Sequence, residues 1–142
     1  GLMSVRWPAR FELLRKNPIF IADGGHNPQG ITAVTESLKQ HFPDRKITFL
    51  IGIMADKDIP HMIDSLAPLA KEFVTVTPDN PRALHADVLA AMLTERGLTA
   101  ISRDNVNEGV RTAIEQAGPD GIVCALGSLY LLGDVRKALG AH

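Results

Sequence analysis

Between Ile19 and Gly30 a short apolar run, Ile-Phe-Ile-Ala, breaks into Asp23-Gly24-Gly25-His26-Asn27 and is followed at once by Pro28. An apolar run of this length, bounded by turn formers, suits a buried strand. Pro28 suits the first turn of a helix, because it has no N–H to leave unsatisfied and its φ is already helical. Asn27 is then the natural N-cap, its side-chain oxygen taking a free N–H of that turn. In an open α/β sheet such a junction is where ligands bind, since free N–H groups and the helix dipole point there. Asp23, His26 and Asn27 are therefore expected at an active edge. The other reading is a plain turn between strand and helix.

The rest of the chain keeps the same rhythm. Ile31, Val34, Leu38 and Phe42 fall at helical spacing, and Pro43-Asp44 ends that helix. Residues 46–54 form a continuous β-prone run suited to a central parallel strand covered on both faces. Ile59-Pro60 opens a helix with Met62, Ile63, Leu66, Leu69 and Ala70 on its apolar side, and residues 73–77 read as the next strand. Residues 87–96 give a helix closed by Gly97, and residues 98–101 a short strand. Asn105 or Asn107 caps a further helix, residues 122–126 form the last strand, and a closing helix runs through Val135 and Leu139. Ahead of all this, residues 4–14 read as an extended segment leading to a short edge strand, with a turn at Asn17-Pro18. Strands alternating with helices predict right-handed βαβ crossovers. The expected fold is α/β: a Rossmann-like three-layer domain whose mostly parallel sheet has about six strands and one antiparallel edge strand.

Four loops leave the carboxyl ends of expected parallel strands, and all carry polar groups: 23–27, 56–58, 79–82 and 128–130. Asp23 suits the two hydroxyls of a ribose, the task of a carboxylate at a strand end in nucleotide-binding folds. His26 suits a carboxylate or phosphate, or else anchors its own loop. Arg82 offers a planar fork for a carboxylate, with a surface arginine as the alternative. Ser128 caps a helix start and presents its hydroxyl. Tyr130 is either a substrate contact or a packed phenol.

Bulk properties remove other classes. The 142 residues suffice for one domain with a proper core, and 45% of them are hydrophobic. Lys and Arg number 15 against 16 Asp and Glu, a net charge of -1, with no basic stripe for nucleic acid. Apolar runs are too short to cross a bilayer, no signal peptide is read, and a cytoplasmic location is expected. The single cysteine, Cys124, lies within a strand and reads as a small core residue. The five histidines, at 26, 41, 61, 85 and 142, show no metal-ligand spacing. No Gly-x-Gly-x-x-Gly follows the first strand, which speaks against a dinucleotide oxidoreductase.

Five motifs then stand in a telling order: Trp7-Pro8-Ala9-Arg10, Asp23-Gly24-Gly25-His26-Asn27-Pro28, Met54-Ala55-Asp56-Lys57-Asp58, Asp79-Asn80-Pro81-Arg82 and Gly127-Ser128-Leu129-Tyr130-Leu131-Leu132-Gly133. They resemble the C-terminal domain of the folylpolyglutamate synthase and dihydrofolate synthase family, of the Mur-ligase superfamily. That family shows Asp-Gly-Ala-His-Asn-Pro and Trp-Pro-Gly-Arg, so Gly25 and Ala9 depart from its pattern while Arg10 is kept. The Asp-Asn-Pro-Arg string also resembles the amino-acid-reading motif of the Mur ligase that adds a diamino acid.

The resemblance implies that residues 1–142 are a glutamate-ligase domain whose N-terminal ATP-binding domain is absent from this chain. Gly-x-x-x-x-Gly-Lys-Ser/Thr occurs nowhere, and Gly1-Leu2-Met3 reads as a cut rather than a native start. It implies nucleotide binding by Arg10, Asp23 and Asn27, and glutamate binding by His26, Arg82, Ser128 and Tyr130. Catalytic roles fall to His26, Ser128 and Tyr130. ATP and Mg²⁺ serve the intact enzyme, with the metal held mainly by the missing domain and by no residue here. The implied reaction activates a folate or dihydropteroate carboxylate as an acyl phosphate, which the amine of L-glutamate attacks. The implied partner is the chain's own N-terminal ATPase domain, and the isolated domain is expected to be inactive. Two other readings stay open: a different Mur-family amide ligase, or a non-catalytic module that binds a nucleotide or acidic metabolite.

Overall fold

A computed structural model describes residues 5–6, 12–24 and 27–140; the expectations for Arg10 and His26 fall outside the described residues. In chain order the elements are β1 (Val5–Arg6), β2 (Glu12–Lys16), β3 (Ile19–Ala22), α1 (Pro28–His41), β4 (Ile47–Ile51), α2 (Ile59–Leu66), β5 (Ala70–Thr75), α3 (Ala86–Glu95), β6 (Ala100–Ser102), α4 (Val106–Ala117), β7 (Ile122–Leu126) and α5 (Leu129–Ala138). Helix starts follow their caps. Asn27 Oδ1 accepts from Gly30 N at 2.8 Å, and Asn105, rather than Asn107, accepts from Glu108 N at 2.9 Å. Ser128 Oγ accepts from Tyr130 N at 3.1 Å.

Several boundaries shift for local reasons. α2 stops at Leu66 because Pro68 has no N–H to continue it, and a single 3₁₀ turn (Ala67–Leu69) leads into β5. Leu69 and Ala70 are therefore not part of the helix. β5 and β6 are Ala70–Thr75 and Ala100–Ser102 rather than 73–77 and 98–101. α3 begins at Ala86, where His85 Nδ1 accepts from Asp87 N at 3.1 Å. β4 ends at Ile51, although Ile53 and Met54 remain buried beneath the neighbouring loop.

Among the described residues the sheet runs β1-β2-β3-β7-β4-β5-β6, with β3, β7, β4, β5 and β6 mutually parallel. β2 lies antiparallel on the β3 edge as expected, and the two-residue β1 adds a second antiparallel strand outside it. α1, α2 and α3 cover one face, burying Val34, Met62 and Leu89 against Ile21, Phe49 and Cys124. α4 and α5 cover the other, burying Val110 and Val135 against Phe20, Leu50 and Val123. Successive strand residues thus feed opposite cores, which is why the central strands are apolar throughout. Among the described residues no helix is long and apolar enough to cross a membrane.

β7, last in sequence, sits between β3 and β4. The helices leaving β3 and β4 take one face, while the helix leaving β7 takes the other. That divergence opens a crevice at the carboxyl ends beside β7, the usual ligand position in an open α/β sheet.

Candidate functional site

Because β3, β7, β4 and β5 are parallel neighbours, Asp23, Ser128, Asp56 and Asp79 all leave the same edge of the sheet. The loops after β4 and β5 are joined there through their backbones. Ala55 N donates to Arg82 O and Leu84 N to Ile53 O, each at 2.8 Å, around an antiparallel bridge between Met54 and Ala83. Asn80 Oδ1 shapes the second loop by accepting from Arg82 N at 2.8 Å. The loop after β7 turns at Gly127, whose φ is 111°, and a Cβ there would stand 2.8 Å from Gly52 O. Only glycine fits both the conformation and the approach.

These three loops enclose a cleft of about 480 Å³, within the range for a small-molecule site. Asp56 and Lys57 enter it from the β4 loop, Asn80 and Arg82 from the β5 loop, and Ser128 and Tyr130 from the β7 loop. Among the described residues neither the Lys57 ammonium nor the Arg82 guanidinium has a hydrogen bond or ion pair. Ser128 is 2% exposed, and its hydroxyl, having accepted from Tyr130 N, keeps its own proton to donate. Tyr130 is 56% exposed, which removes the packed-phenol reading. Its neighbour Leu129, also on the cleft, is 64% exposed.

The other expected residues lie apart from this cleft. Asp79 leaves the same edge but lines a separate depression of about 570 Å³ with His85, Asp134 and Lys137. Asp23 is buried at the end of β3, its N donating to Ala125 O at 3.0 Å. Burial pushes the Cys124 thiol well above its usual range, and the nearby Asp23 carboxylate adds to the shift. Asn27 uses its side-chain oxygen on the α1 cap, and Asp58 Oδ1 accepts from His61 N at the start of α2. Lys57, Asn80 and Leu129 line the cleft without having been singled out as site residues; the Asp-Lys-Asp run was the available signal for Lys57. Among the described residues no three His, Cys, Asp or Glu side chains converge to hold a metal ion.

Residues 9–129 match the family model for the Mur ligase, glutamate ligase domain. The chain belongs to that family. The folylpolyglutamate synthase of Lacticaseibacillus casei is 35% identical over 144 residues, which cover 98% of this chain and 31% of that protein. The crystal structure of Mycobacterium tuberculosis folylpolyglutamate synthase complexed with ADP and AMPPCP is similar with a TM-score of 0.84 at 26% identity, over 97% of this chain and 33% of that one. A bifunctional folylpolyglutamate synthase/dihydrofolate synthase with Mn, AMPPNP and L-glutamate bound gives a TM-score of 0.82 at 27% identity, over 99% of this chain and 33% of that one. This glutamate ligase domain therefore spans about a third of the length of these relatives. In it the cleft gathers Arg82, Ser128 and Tyr130, while Asp23 and Asn27 stay on the β3 side.

Proposed function

We propose that this domain is the C-terminal, glutamate-handling part of an ATP-dependent folylpolyglutamate synthase/dihydrofolate synthase. The observation that carries the reading is the pair of cations, Arg82 and Lys57, unpartnered among the described residues and facing one cleft with Ser128 and Tyr130. L-Glutamate brings two carboxylates and an amine that must be neutral to attack. The Arg82 guanidinium matches a carboxylate through two parallel N–H donors. Ser128 donates its free proton to a substrate oxygen, and the Tyr130 phenol stands at the mouth of the cleft.

On the β3 side, Asp23 takes the ribose hydroxyls, Asn27 marks the helix start beneath the phosphates and Arg10 reaches them. His26, next to Asn27 in sequence, serves the incoming amino acid and its transfer. The folate or dihydropteroate carboxylate takes the γ-phosphoryl group of ATP, giving an acyl phosphate and ADP. The glutamate nitrogen attacks the carbonyl carbon, the bond from that carbon to the phosphate oxygen breaks, phosphate leaves, and the amine loses a proton. The N-terminal ATPase domain of the same native chain closes over this edge and keeps water from the acyl phosphate. Among the described residues no three metal-binding side chains converge, and the Mg²⁺ of the intact enzyme is assigned mainly to the N-terminal domain. ATP and folates are at hand in the cytoplasm, the location that goes with this reading.

The test is steady-state kinetics on the full-length ligase, with each substrate varied in turn. Losing a charge-assisted pair costs about 1.5–3 kcal/mol, or roughly 10- to 150-fold in affinity. Arg82→Ala is expected to raise the KM for glutamate by that factor and leave the KM for ATP unchanged. An unchanged glutamate KM would defeat the assignment. This chain alone is expected neither to hydrolyse ATP nor to extend folates.

A further inference from the structure

Gly127, Gly52 and Pro78 stand side by side at the carboxyl ends of β7, β4 and β5, Gly127 lining the cleft and Pro78 the Asp79 depression, and they bear on which amino acid the cleft fits. β4 lies between β7 and β5, so Gly52 separates the loop bearing Ser128 and Tyr130 from the loop bearing Asn80 and Arg82. On one side, a Cβ at Gly127 would meet Gly52 O at 2.8 Å. On the other, a Cβ at Gly52 would meet Pro78 Cγ at 2.8 Å, Pro78 Cδ at 3.0 Å and Val76 O at 3.1 Å. Neither approach leaves room for a methyl group, so Gly52 is a spacer of minimum thickness. Pro78 is buried and begins a turn closed by its own bonds, Asn80 N to Pro78 O at 2.8 Å and Ala83 N to Asn80 O at 3.0 Å. A push on Pro78 is therefore carried through the turn toward Arg82, against the bonds from Ala55 N to Arg82 O and from Leu84 N to Ile53 O that tie the far end of the loop to β4.

We propose that Gly52 is a specificity-determining residue: its missing side chain sets the distance from Arg82 to the Ser128–Tyr130 wall, and with it the length of dicarboxylic amino acid the cleft accepts. The proposal rests on the reading of this cleft as the glutamate site. A methyl group at position 52 must take the 2.8 Å approach to Pro78 out to an ordinary contact of 3.4–4 Å. The Arg82 wall moves outward accordingly, which favours an amino acid with one more methylene between its carboxylates. Gly52 touches no substrate; it acts through Pro78 and the turn.

The experiment measures kcat/KM of the full-length ligase for L-glutamate and for L-2-aminoadipate, one methylene longer. One methylene is worth about 10- to 200-fold in a pocket built around it, and Gly52→Ala is expected to shift the ratio toward the longer acid by roughly tenfold. Pro78→Ala removes the ring atoms that the new methyl meets, so Gly52→Ala/Pro78→Ala is expected to return toward the parent ratio. The KM for ATP should stay constant in both variants. Equal losses for the two amino acids, or a shift that Pro78→Ala does not reverse, would overturn the proposal. If Arg82→Ala leaves the glutamate KM unchanged, it is the glutamate reading that fails. A normal Arg82 effect with an unshifted ratio removes the spacer alone. Where Gly52→Ala does not fold, thermal melting decides: the double variant must melt above the single one, and a failure to do so overturns the contact with Pro78.

Discussion

At the amino end of the parallel strands, side chains do the fastening. Thr48 Oγ1 donates to the buried Glu72 Oε2 at 2.5 Å. Lys46 Nζ donates to Pro68 O at 2.7 Å, while Arg45 Nη2 reaches Asp120 O and Lys71 Nζ reaches Gln116 O, each at 2.6 Å. These cations end on carbonyls at or beyond the last turns of helices, where the local dipole is negative. At the carboxyl end the backbone does the same work. Ala55 bonds to Arg82, Leu84 bonds to Ile53, and Gly127 lies against Gly52 with no side chain between them. Lys57 and Arg82 are left with nothing to hold among the described residues. A site whose polar side chains must be free for a ligand has to be kept in shape by other groups, and here those groups are backbone amides, carbonyls and glycines, helped by the Asn80 side chain that accepts from Arg82 N.

The contrast predicts opposite responses to substitution at the two ends. The largest loss of stability is expected from Gly127→Ala, which combines overpacking of about 1–3 kcal/mol with positive-φ strain of about 1–3 kcal/mol. Urea unfolding of this chain should show about 2–6 kcal/mol lost from those two sources together. A small loss would mean that the carboxyl end does not depend on close backbone approach. Thr48→Val comes next. It preserves shape but removes the donor to a buried carboxyl group, and about 1.5–3 kcal/mol should disappear from the same measurement. An unmoved midpoint would take side-chain fastening away from the amino end.

Cys124 lies in β7 between the two ends and reports how dry the core beneath α1, α2 and α3 is. Its folded pKa is raised by burial first and by Asp23 second. The folded state therefore holds the thiol proton after the unfolded chain, with a pKa of about 8.5, has lost it. This stabilising contribution is fully present below about pH 8.5 and is lost as pH rises above it, at about 1.4 kcal/mol per pH unit. Stability measured on either side of that value should fall more steeply in the parent chain than in Cys124→Ala, and equal slopes would show the thiol to be hydrated. The smallest effect is expected for Arg82→Ala in this chain, within about 0.5 kcal/mol. A larger loss would make Arg82 a fastener and erase the distinction between the ends.

Local signals carried most of the fold. Asn27, Asn105 and Ser128 cap helices because the geometry that a cap needs is contained within three or four residues. The apolar strand runs and the helical spacing of Ile31, Val34 and Leu38 are local in the same sense. Placing Asp23, Asp56, Asp79 and Ser128 on one edge needed only the alternation of strand and helix. Harder to see was which of them share a cleft. Asp79 and Arg82 stand in one short loop, yet they line different depressions, because the turn held by Asn80 sends them to opposite sides. The exposure of Tyr130 likewise depends on how α5 meets the sheet.

By itself, then, the sequence determined the order and kind of the elements, the helix caps and the edge at which polar residues gather, since each of these depends on neighbours along the chain. The tertiary structure alone decided that β7 enters between β3 and β4, that Lys57 and Arg82 face one space, and that Gly127, Gly52 and Pro78 stand in close approach across three strand ends. Those features are distances between segments far apart in the chain. They are set by packing two cores against one sheet, which no stretch of sequence contains.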